Sequence, residues 1–172
     1  MHLTFSDAAR IVFREELILD LPEDMVELQT FLRKSLEVQE GSLTCYGVQD
    51  WYSPLASGSS APGALVVCPC SGGTLASIAQ GLSGNLVERA ADVMLKEGRK
   101  LVLVPRETPV SAIHLENMLK LSRLGATILP ASPGFYDHPG SVGDLVDFVV
   151  ARILDQLGIS RTMGPRWGTA PS

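Results

Sequence analysis

The chain has 172 residues, of which 45% are hydrophobic and 19% charged, and its formal net charge at pH 7 is -5. This length and composition are sufficient for one domain with a packed core and exclude a largely disordered chain. The negative charge and the absence of a basic run argue against a surface for nucleic acid or anionic membranes, so any anionic ligand must be met by local cations.

Short apolar runs alternate with amphipathic ones along the chain. The apolar runs predict strands over residues 2–5, 43–48, 64–67, 100–105 and 126–129. Apolar residues at helical spacing predict helices over residues 7–16, 22–35, 86–97, 111–124 and 141–157, and a further helix opens at Gly72. This order predicts an α/β fold with a three-layer, doubly wound, mainly parallel sheet. We expect one domain over residues 1–158 and a tail over residues 159–172.

The segments between these elements also carry signals. Ser6, Ser71 and Ser141 each stand where a helix N-cap is expected, and Asp144 has the capping-box spacing from Ser141. Residues 50–63 are rich in Ser, Gly, Ala and Pro. This composition fits either a linker between domains or a loop over the sheet edge. We favour the loop, since the segment is short and close to the next strand.

The segment KLVLVPRETP, from Lys100 to Pro109, places charges directly after a predicted buried strand. In open α/β sheets, ligands bind outside the carboxyl ends of the strands. Arg106 could hold a phosphate there, and Glu107 could act as a general acid or base. The alternative is an exposed ion pair between these two residues, which would contribute at most about 1 kcal/mol.

The strand-turn-helix around Ser71, Gly72, Gly73 and Thr74 can present backbone N–H groups to a phosphate or to a polar ring edge. A short SGGT segment is a weak signal by itself. The alternative is a Ser-capped helix with a tight entry turn.

Three other polar side chains are candidates for the site: Lys96, Arg152 and Tyr136. Lys96 stands one turn after Asp92 and could simply pair with it. Arg152, inside an apolar helix, is either a snorkelling surface residue or an inward anion ligand. Tyr136 lies in a loop between prolines, where an aromatic is hard to place as ordinary core.

The histidines and cysteines lack the spacing of catalytic or metal sites. His114 and His138 have no paired nucleophile, and we interpret them as structural. Cys45, Cys68 and Cys70 lack the CxxC spacing of a redox pair, which favours buried structural cysteines. The segment MHLTFSDAAR contains no secretory leader and no apolar run approaches a membrane span, so we expect a cytoplasmic protein.

Four segments in order resemble the flavin prenyltransferases, the UbiX family. They are PCSGGT at 69–74, ERAADVMLKE at 88–97, VPRETP at 104–109 and PGFYDHP at 133–139. The resemblance extends from about Leu3 to Trp167, and the ordered series is more specific than any single segment.

This resemblance implies a Rossmann-like or flavodoxin-like subunit that binds reduced FMN and dimethylallyl phosphate. The implied reaction joins the prenyl group to flavin N5 and C6 without a metal and releases phosphate. The resemblance also implies a homo-oligomer, typically a dodecamer. The product would serve a UbiD-type decarboxylase, in ubiquinone biosynthesis or aromatic acid decarboxylation.

The resemblance assigns roles to single positions. The implied cofactor-binding residues are Ser6, Ser71, Gly72, Gly73, Thr74 and Arg106. The implied substrate-binding residues are Tyr136, Arg152, Lys96 and Arg106. The implied catalytic residues are Glu107, Glu16 and Lys96. Cations and a tyrosine hydroxyl suit this chemistry, since the leaving phosphate gains negative charge as its allylic C–O bond breaks. Trp51 or Trp167 could favour the allyl cation through its π face.

One feature departs from the family pattern. UbiX proteins begin with a strand and a Gly-Ala-Ser-Gly-Ala-like loop that cradles the FMN phosphate, and here His2 already corresponds to their second strand. We therefore expect residues 1–172 by themselves to bind FMN weakly and to show little prenyl transfer.

Two other functions are compatible with the sequence. The first is a flavin-dependent cysteine decarboxylase of related fold, although its PASANT-like segment is replaced here by PCSGGT. The second is a degenerate family member that acts only as an oligomeric binding protein.

Overall fold

The computed structural model describes residues 1–136 and 138–160. Its elements in chain order are β1 (His2–Thr4), α1 (Asp7–Leu17), α2 (Met25–Ser35), β2 (Thr44–Tyr46), a 3₁₀ turn (Pro54–Ala56), β3 (Ala64–Cys70), α3 (Gly72–Ala79), α4 (Leu86–Lys96), β4 (Lys100–Pro105), α5 (Ala112–Arg123), β5 (Thr127–Ile128) and α6 (Val142–Leu157). The strand pairings are parallel, and the predicted α/β class is confirmed. Within the described ranges, no helix has the length and apolar character needed to cross a membrane.

The chain divides into two compact units. The first comprises Met1–Pro62 and Leu82–Val93. In it β1 pairs with β2, and Leu3 lies opposite Cys45. Helix α2 turns Leu28 and Leu32 inward onto this pair, because these residues are one helical turn apart and form one apolar cluster with Leu43 and Cys45.

The second unit comprises Gly63–Gly81 and the described residues from Met94 onward. Its sheet has the order β3-β4-β5, with β4 in the centre. Residues Leu101 to Val104 of β4 are all buried, as expected for a parallel strand covered on both faces. Ile153 of α6 packs in one cluster with Val102 and Val104. The one-domain interpretation of residues 1–158 stays a prediction.

Two element boundaries differ by three residues from those predicted. Helix α2 begins at Met25 rather than at Pro22, because the Asp24 carboxylate caps it by accepting the N–H groups of Val26 at 2.9 Å and Glu27 at 3.0 Å. Strand β3 continues past the predicted end at residue 67 and pairs Cys70 with Pro105, after a register irregularity that begins at Val67. The irregularity lets the strand extend through the turn-like sequence CPC.

The predicted helix caps are confirmed. Ser6 Oγ accepts the N–H of Ala9 at 3.1 Å, and Ser141 Oγ accepts the N–H of Asp144 at 3.2 Å. The Asp144 carboxylate reaches back and accepts the N–H groups of Gly140 at 2.8 Å and Ser141 at 2.9 Å. These bonds stabilise the ionised form and lower the pKa of Asp144 below its ordinary value of 3.8, the Gly140 N–H having the largest effect.

The lowered pKa of Asp144 makes this cap acid-sensitive. A carboxyl whose pKa is depressed on folding stabilises the fold above its unfolded pKa and loses that contribution as the pH falls through its folded pKa. We expect Asp144→Asn to reduce the loss of thermal stability between about pH 5 and pH 2. The measurement is Tm by circular dichroism across this range.

Asp147→Asn is the matched control for this prediction. Asp147 is exposed in the same helix, and its carboxylate accepts no hydrogen bond from the described part of the chain. An equal change in acid dependence for both variants would contradict the assignment to the α6 cap.

Candidate functional site

The second unit brings several predicted site residues to one edge of its sheet. Strands β3 and β4 are parallel and pair Cys70 with Pro105. Ser71 and Arg106 are the next residues along the two strands, so they leave neighbouring strands at the same edge. Because ligands bind at the carboxyl edge of open parallel sheets, this position supports a binding site.

Helix α3 begins with free backbone donors. Ser71 Oγ accepts the N–H of Thr74 at 3.1 Å and donates to Thr74 Oγ1 at 3.0 Å. The N–H groups of Gly72 and Gly73 have no hydrogen-bond partner in residues 1–136 and 138–160. The Ser-capped helix is therefore present, and two donors at its positive end remain available for an acceptor.

His114 adjoins this turn, which the sequence did not predict. Ser111 Oγ accepts the N–H of His114 at 3.3 Å, and Nδ1 of His114 accepts the N–H of Ser111 at 3.2 Å, a reciprocal cap of α5. A Cβ placed on Gly72 would lie 2.8 Å from Nε2 of the same ring. The structural interpretation of His114 is right for its capping role, and the Ser-x-x-His spacing is the signal that would have revealed it.

Arg106 and Glu107 are both exposed after β4. The predicted alternative, an ion pair between them, is wrong, because neither side chain forms an ion pair with any described residue. The Arg106 guanidinium thus lies at the sheet edge without a carboxylate from the described chain. An uncompensated guanidinium is suited to bind a phosphate through paired N–H groups.

Tyr136 lies against Phe148 of α6. The two rings meet edge to face, with centroids 6.0 Å apart and planes at 81°, and 54% of Tyr136 remains exposed. A Cβ on Gly134 would lie 2.5 Å from Cε1 of Tyr136. The phenol therefore takes its place because residue 134 is glycine and Phe148 supports the ring.

Two cations are held near carboxylates. Arg152 is exposed on α6 and bonds to Oδ2 of Asp155 at 2.9 Å, which favours the surface interpretation of this residue over the inward one. Lys96 Nζ lies 3.5 Å from Oε1 of Glu97. The predicted pair with Asp92 is wrong, because Arg89 lies one turn before Asp92 and bonds to it at 3.4 Å.

Ser6 and Glu16 belong to the first unit. Ser6 caps α1, and Glu16 is exposed near the end of that helix. Trp51 is 45% exposed, whereas Trp167 lies outside the described residues. The cofactor, substrate and catalytic roles of these residues stay predictions.

The cysteines differ in burial. Cys45 and Cys70 are buried, as expected, whereas Cys68 is exposed and all three are free. Cys68 departs from the expectation because the register irregularity of β3 falls between Val67 and Cys70. Burial is the main cause that raises the pKa of the Cys70 thiol to about 12, so this thiol stays protonated at neutral pH and is a poor nucleophile.

Comparison with known proteins identifies the family. A family model described as Flavoprotein matches residues 1–154. Flavin prenyltransferase UbiX of Pseudomonas aeruginosa is 58% identical over 168 residues, covering 98% of this chain and 80% of that protein. A dodecameric FMN-dependent UbiX-like decarboxylase from Escherichia coli O157:H7 has 43% identity and a TM-score of 0.82, covering 98% of this chain and 83% of that chain. The solved complex of AnUbiX with FMN and dimethylallyl pyrophosphate has 37% identity and a TM-score of 0.78, covering 96% of this chain and 83% of that chain.

The chain is a member of the Flavoprotein family with a flavodoxin-like fold. Within that family it belongs to the flavin prenyltransferases of the UbiX type, as its ordered motifs implied. An FMN-dependent cysteine decarboxylase, TvaF, is 17% identical with a TM-score of 0.51. Similarity at that level shows the fold alone, so the alternative function as a cysteine decarboxylase is not better supported.

The two glycines that open α3 differ in the space around them. A Cβ on Gly72 would meet Nε2 of His114 at 2.8 Å, whereas a Cβ on Gly73 would meet only Ser71 Oγ, at 3.9 Å. We expect Gly72→Ala to destabilise the fold by about 1–3 kcal/mol through overpacking against a ring that Ser111 holds in place. The measurement is the free energy of unfolding in denaturant.

Gly73→Ala is the matched control, because it adds the same methyl group one residue later. We expect it to be neutral or to stabilise the helix by up to about 1 kcal/mol, since alanine is the better helix former. Equal effects of the two substitutions would contradict the contact between Gly72 and His114.

Proposed function

We propose that the chain is a flavin prenyltransferase that transfers the dimethylallyl group of dimethylallyl phosphate to N5 and C6 of reduced FMN. The observation that carries the proposal is the sheet edge where Ser71 and Arg106 leave two paired parallel strands. That edge combines free backbone N–H donors with an uncompensated guanidinium. A 37% identical UbiX protein was solved with FMN and dimethylallyl pyrophosphate, which supports both ligand classes.

The residues at the start of α3 fit a flavin. The Gly72 and Gly73 N–H groups are donors for the polar oxygen atoms of the flavin. Because glycine has no Cβ, the flavin can approach these backbone donors closely. The hydroxyls of Ser71 and Thr74 hold this turn in its helical geometry. Reduced FMN, when bound, supplies the nucleophilic N5 and C6 positions.

The cations of the second unit fit the phosphate of the prenyl donor. Arg106 binds it most directly in this proposal, because no described carboxylate neutralises the guanidinium. We propose three further ligands of this phosphate: Lys96, Arg152 and the Tyr136 hydroxyl. Lys96 also contacts Glu97, and Arg152 also contacts Asp155. These groups stabilise the charge that gathers on phosphate oxygens as the allylic C–O bond breaks.

Proton transfer falls to carboxylates in this proposal. Glu107 is exposed beside Arg106 at the carboxyl end of β4, where it would move a proton during phosphate release or ring closure. Glu16 is proposed as a second acidic group in the reaction, a role that the family resemblance implies. The role of Glu107 rests on the family resemblance and on its position after β4, and the role of Glu16 rests on the resemblance alone.

The oligomeric assembly of the chain and the destination of its product belong to the same proposal. A UbiX-like relative with 43% identity is dodecameric, which supports a homo-oligomer for this chain. We propose a UbiD-type decarboxylase as the recipient of prenylated FMN. We propose the cytoplasm as the location of this chain. The alternative, a degenerate family member that acts only as an oligomeric binding protein, would form no product.

Prenyl transfer is tested by incubating the chain anaerobically with reduced FMN and dimethylallyl phosphate. We expect release of phosphate and a flavin whose mass has increased by the prenyl group. Residues 1–172 are assayed both as they stand and with an added glycine loop of the family type, because we expect the former to bind FMN weakly. Absence of both products from the form with the added loop would contradict the proposed function.

Arg106→Ala tests the role of the uncompensated guanidinium. We expect prenyl transfer to fall about 100-fold, the typical effect of removing one preorganised donor from a developing anion. Arg123→Ala is the matched control, because Arg123 is exposed in the last turn of α5. Equal losses in both variants would show a general charge effect rather than a binding role for Arg106.

Phe148→Leu tests the support of Tyr136. An edge-to-face aromatic pair contributes about 1 kcal/mol, so we expect KM for dimethylallyl phosphate to rise roughly fivefold with FMN affinity unchanged. Phe135→Leu is the control, since Phe135 precedes Tyr136 and is 68% exposed. An unchanged KM in Phe148→Leu would refute the supporting role of that ring.

A further inference from the structure

We propose that His114 is a ligand-binding residue of the flavin site and acts as a hydrogen-bond donor through Nε2. The family resemblance assigned no role to this residue. The inference rests on the proposed function, because it takes the turn from Ser71 to Thr74 as the place where the flavin binds.

The hydrogen bond of Ser111 decides which nitrogen of His114 carries the proton. The backbone N–H of Ser111 can only donate, and it points at Nδ1 from 3.2 Å. Nδ1 therefore accepts, and the neutral ring carries its proton on Nε2. The reciprocal bond from the N–H of His114 to Ser111 Oγ, at 3.3 Å, holds the ring at the start of α5.

The protonated nitrogen faces the α3 turn. Nε2 occupies space next to the position where a Cβ of Gly72 would stand, 2.8 Å away. No described residue accepts a hydrogen bond from it, and the side chain is half-buried. The Cβ direction of a helical residue tilts towards the helix N-terminus, so Nε2 lies beside the end where the N–H groups of Gly72 and Gly73 are free.

Three unsatisfied donors thus gather at one turn, two from the backbone and one from an imidazole held in a single tautomer. Such a set favours a ligand group that only accepts, such as a carbonyl or phosphate oxygen of the flavin. A side chain that accepts at the same place would face that oxygen with its own lone pairs. Whether the side chain of residue 114 donates or accepts a hydrogen bond is therefore expected to control flavin affinity.

Glutamine and glutamate at position 114 separate this role from capping. Both are the usual third residues of a capping box and accept the N–H of Ser111, but only the glutamine amide retains a donor. We expect His114→Gln to bind FMN within about threefold of the unaltered chain and His114→Glu to bind at least about tenfold more weakly. The measurement is flavin fluorescence titration of the 172-residue chain, with Tm and the visible spectrum of bound FMN recorded for each variant.

Ala112→Glu controls for charge alone. Ala112 is exposed at the first position of α5, so this substitution adds the same charge to the same helix turn and leaves the His114 ring in place. We expect its FMN affinity to stay within about threefold of the unaltered chain. Tm values that stay close together while only His114→Glu loses affinity would exclude a purely structural effect.

The outcomes distinguish this inference from the proposed function. If the unaltered chain binds FMN and His114→Glu binds it equally well, the donor role is wrong and the proposed function stands. If Ala112→Glu loses as much affinity as His114→Glu, the effect is one of charge and the inference also fails. If the unaltered chain does not bind FMN either as it stands or with the added glycine loop, the inference and the FMN part of the proposed function both fail.

Discussion

The parallel pairing of β3 with β4 is the constraint on which the candidate site depends. The pairing continues to the last residues of both strands, where Cys70 lies opposite Pro105. Neighbouring strands are about 4.8 Å apart, so the segments that follow them start close together. Burial of Leu101 to Val104 on both faces of β4 stabilises this arrangement. The site is thus positioned by the core rather than by contacts among its own polar residues.

Electrostatic binding capacity in this chain is local. The net charge is -5, so the overall field does not attract an anion. In the proposed function, backbone N–H groups at α3 and the guanidinium of Arg106 provide the attraction at the sheet edge instead. Lys96 and Arg152 differ from Arg106, because each lies beside a carboxylate. In the proposed function, Arg106 is therefore the first phosphate ligand, and Lys96 and Arg152 adjust the charge around it.

Two glycines of the site are required for steric reasons. Gly72 accommodates the ring of His114, and Gly134 accommodates the ring of Tyr136. In each case the glycine permits a nearby ring to lie against the backbone, which restricts the orientations available to that ring. The polar atoms of the two rings are thereby directed by packing, and a methyl group at either glycine would displace them.

The sequence by itself determined the elements, most of their caps and the family. Apolar periodicity and N-cap residues such as Ser6, Ser71 and Ser141 act within a few residues, so they can be read along the chain. Even there, Asp24 displaced the predicted start of α2, since two start signals stood close together. Only the tertiary structure decided that Arg106 forms no ion pair with a carboxylate of the described residues. It also decided that His114 faces Gly72. Those facts depend on distances between residues far apart in the chain, and packing alone sets such distances.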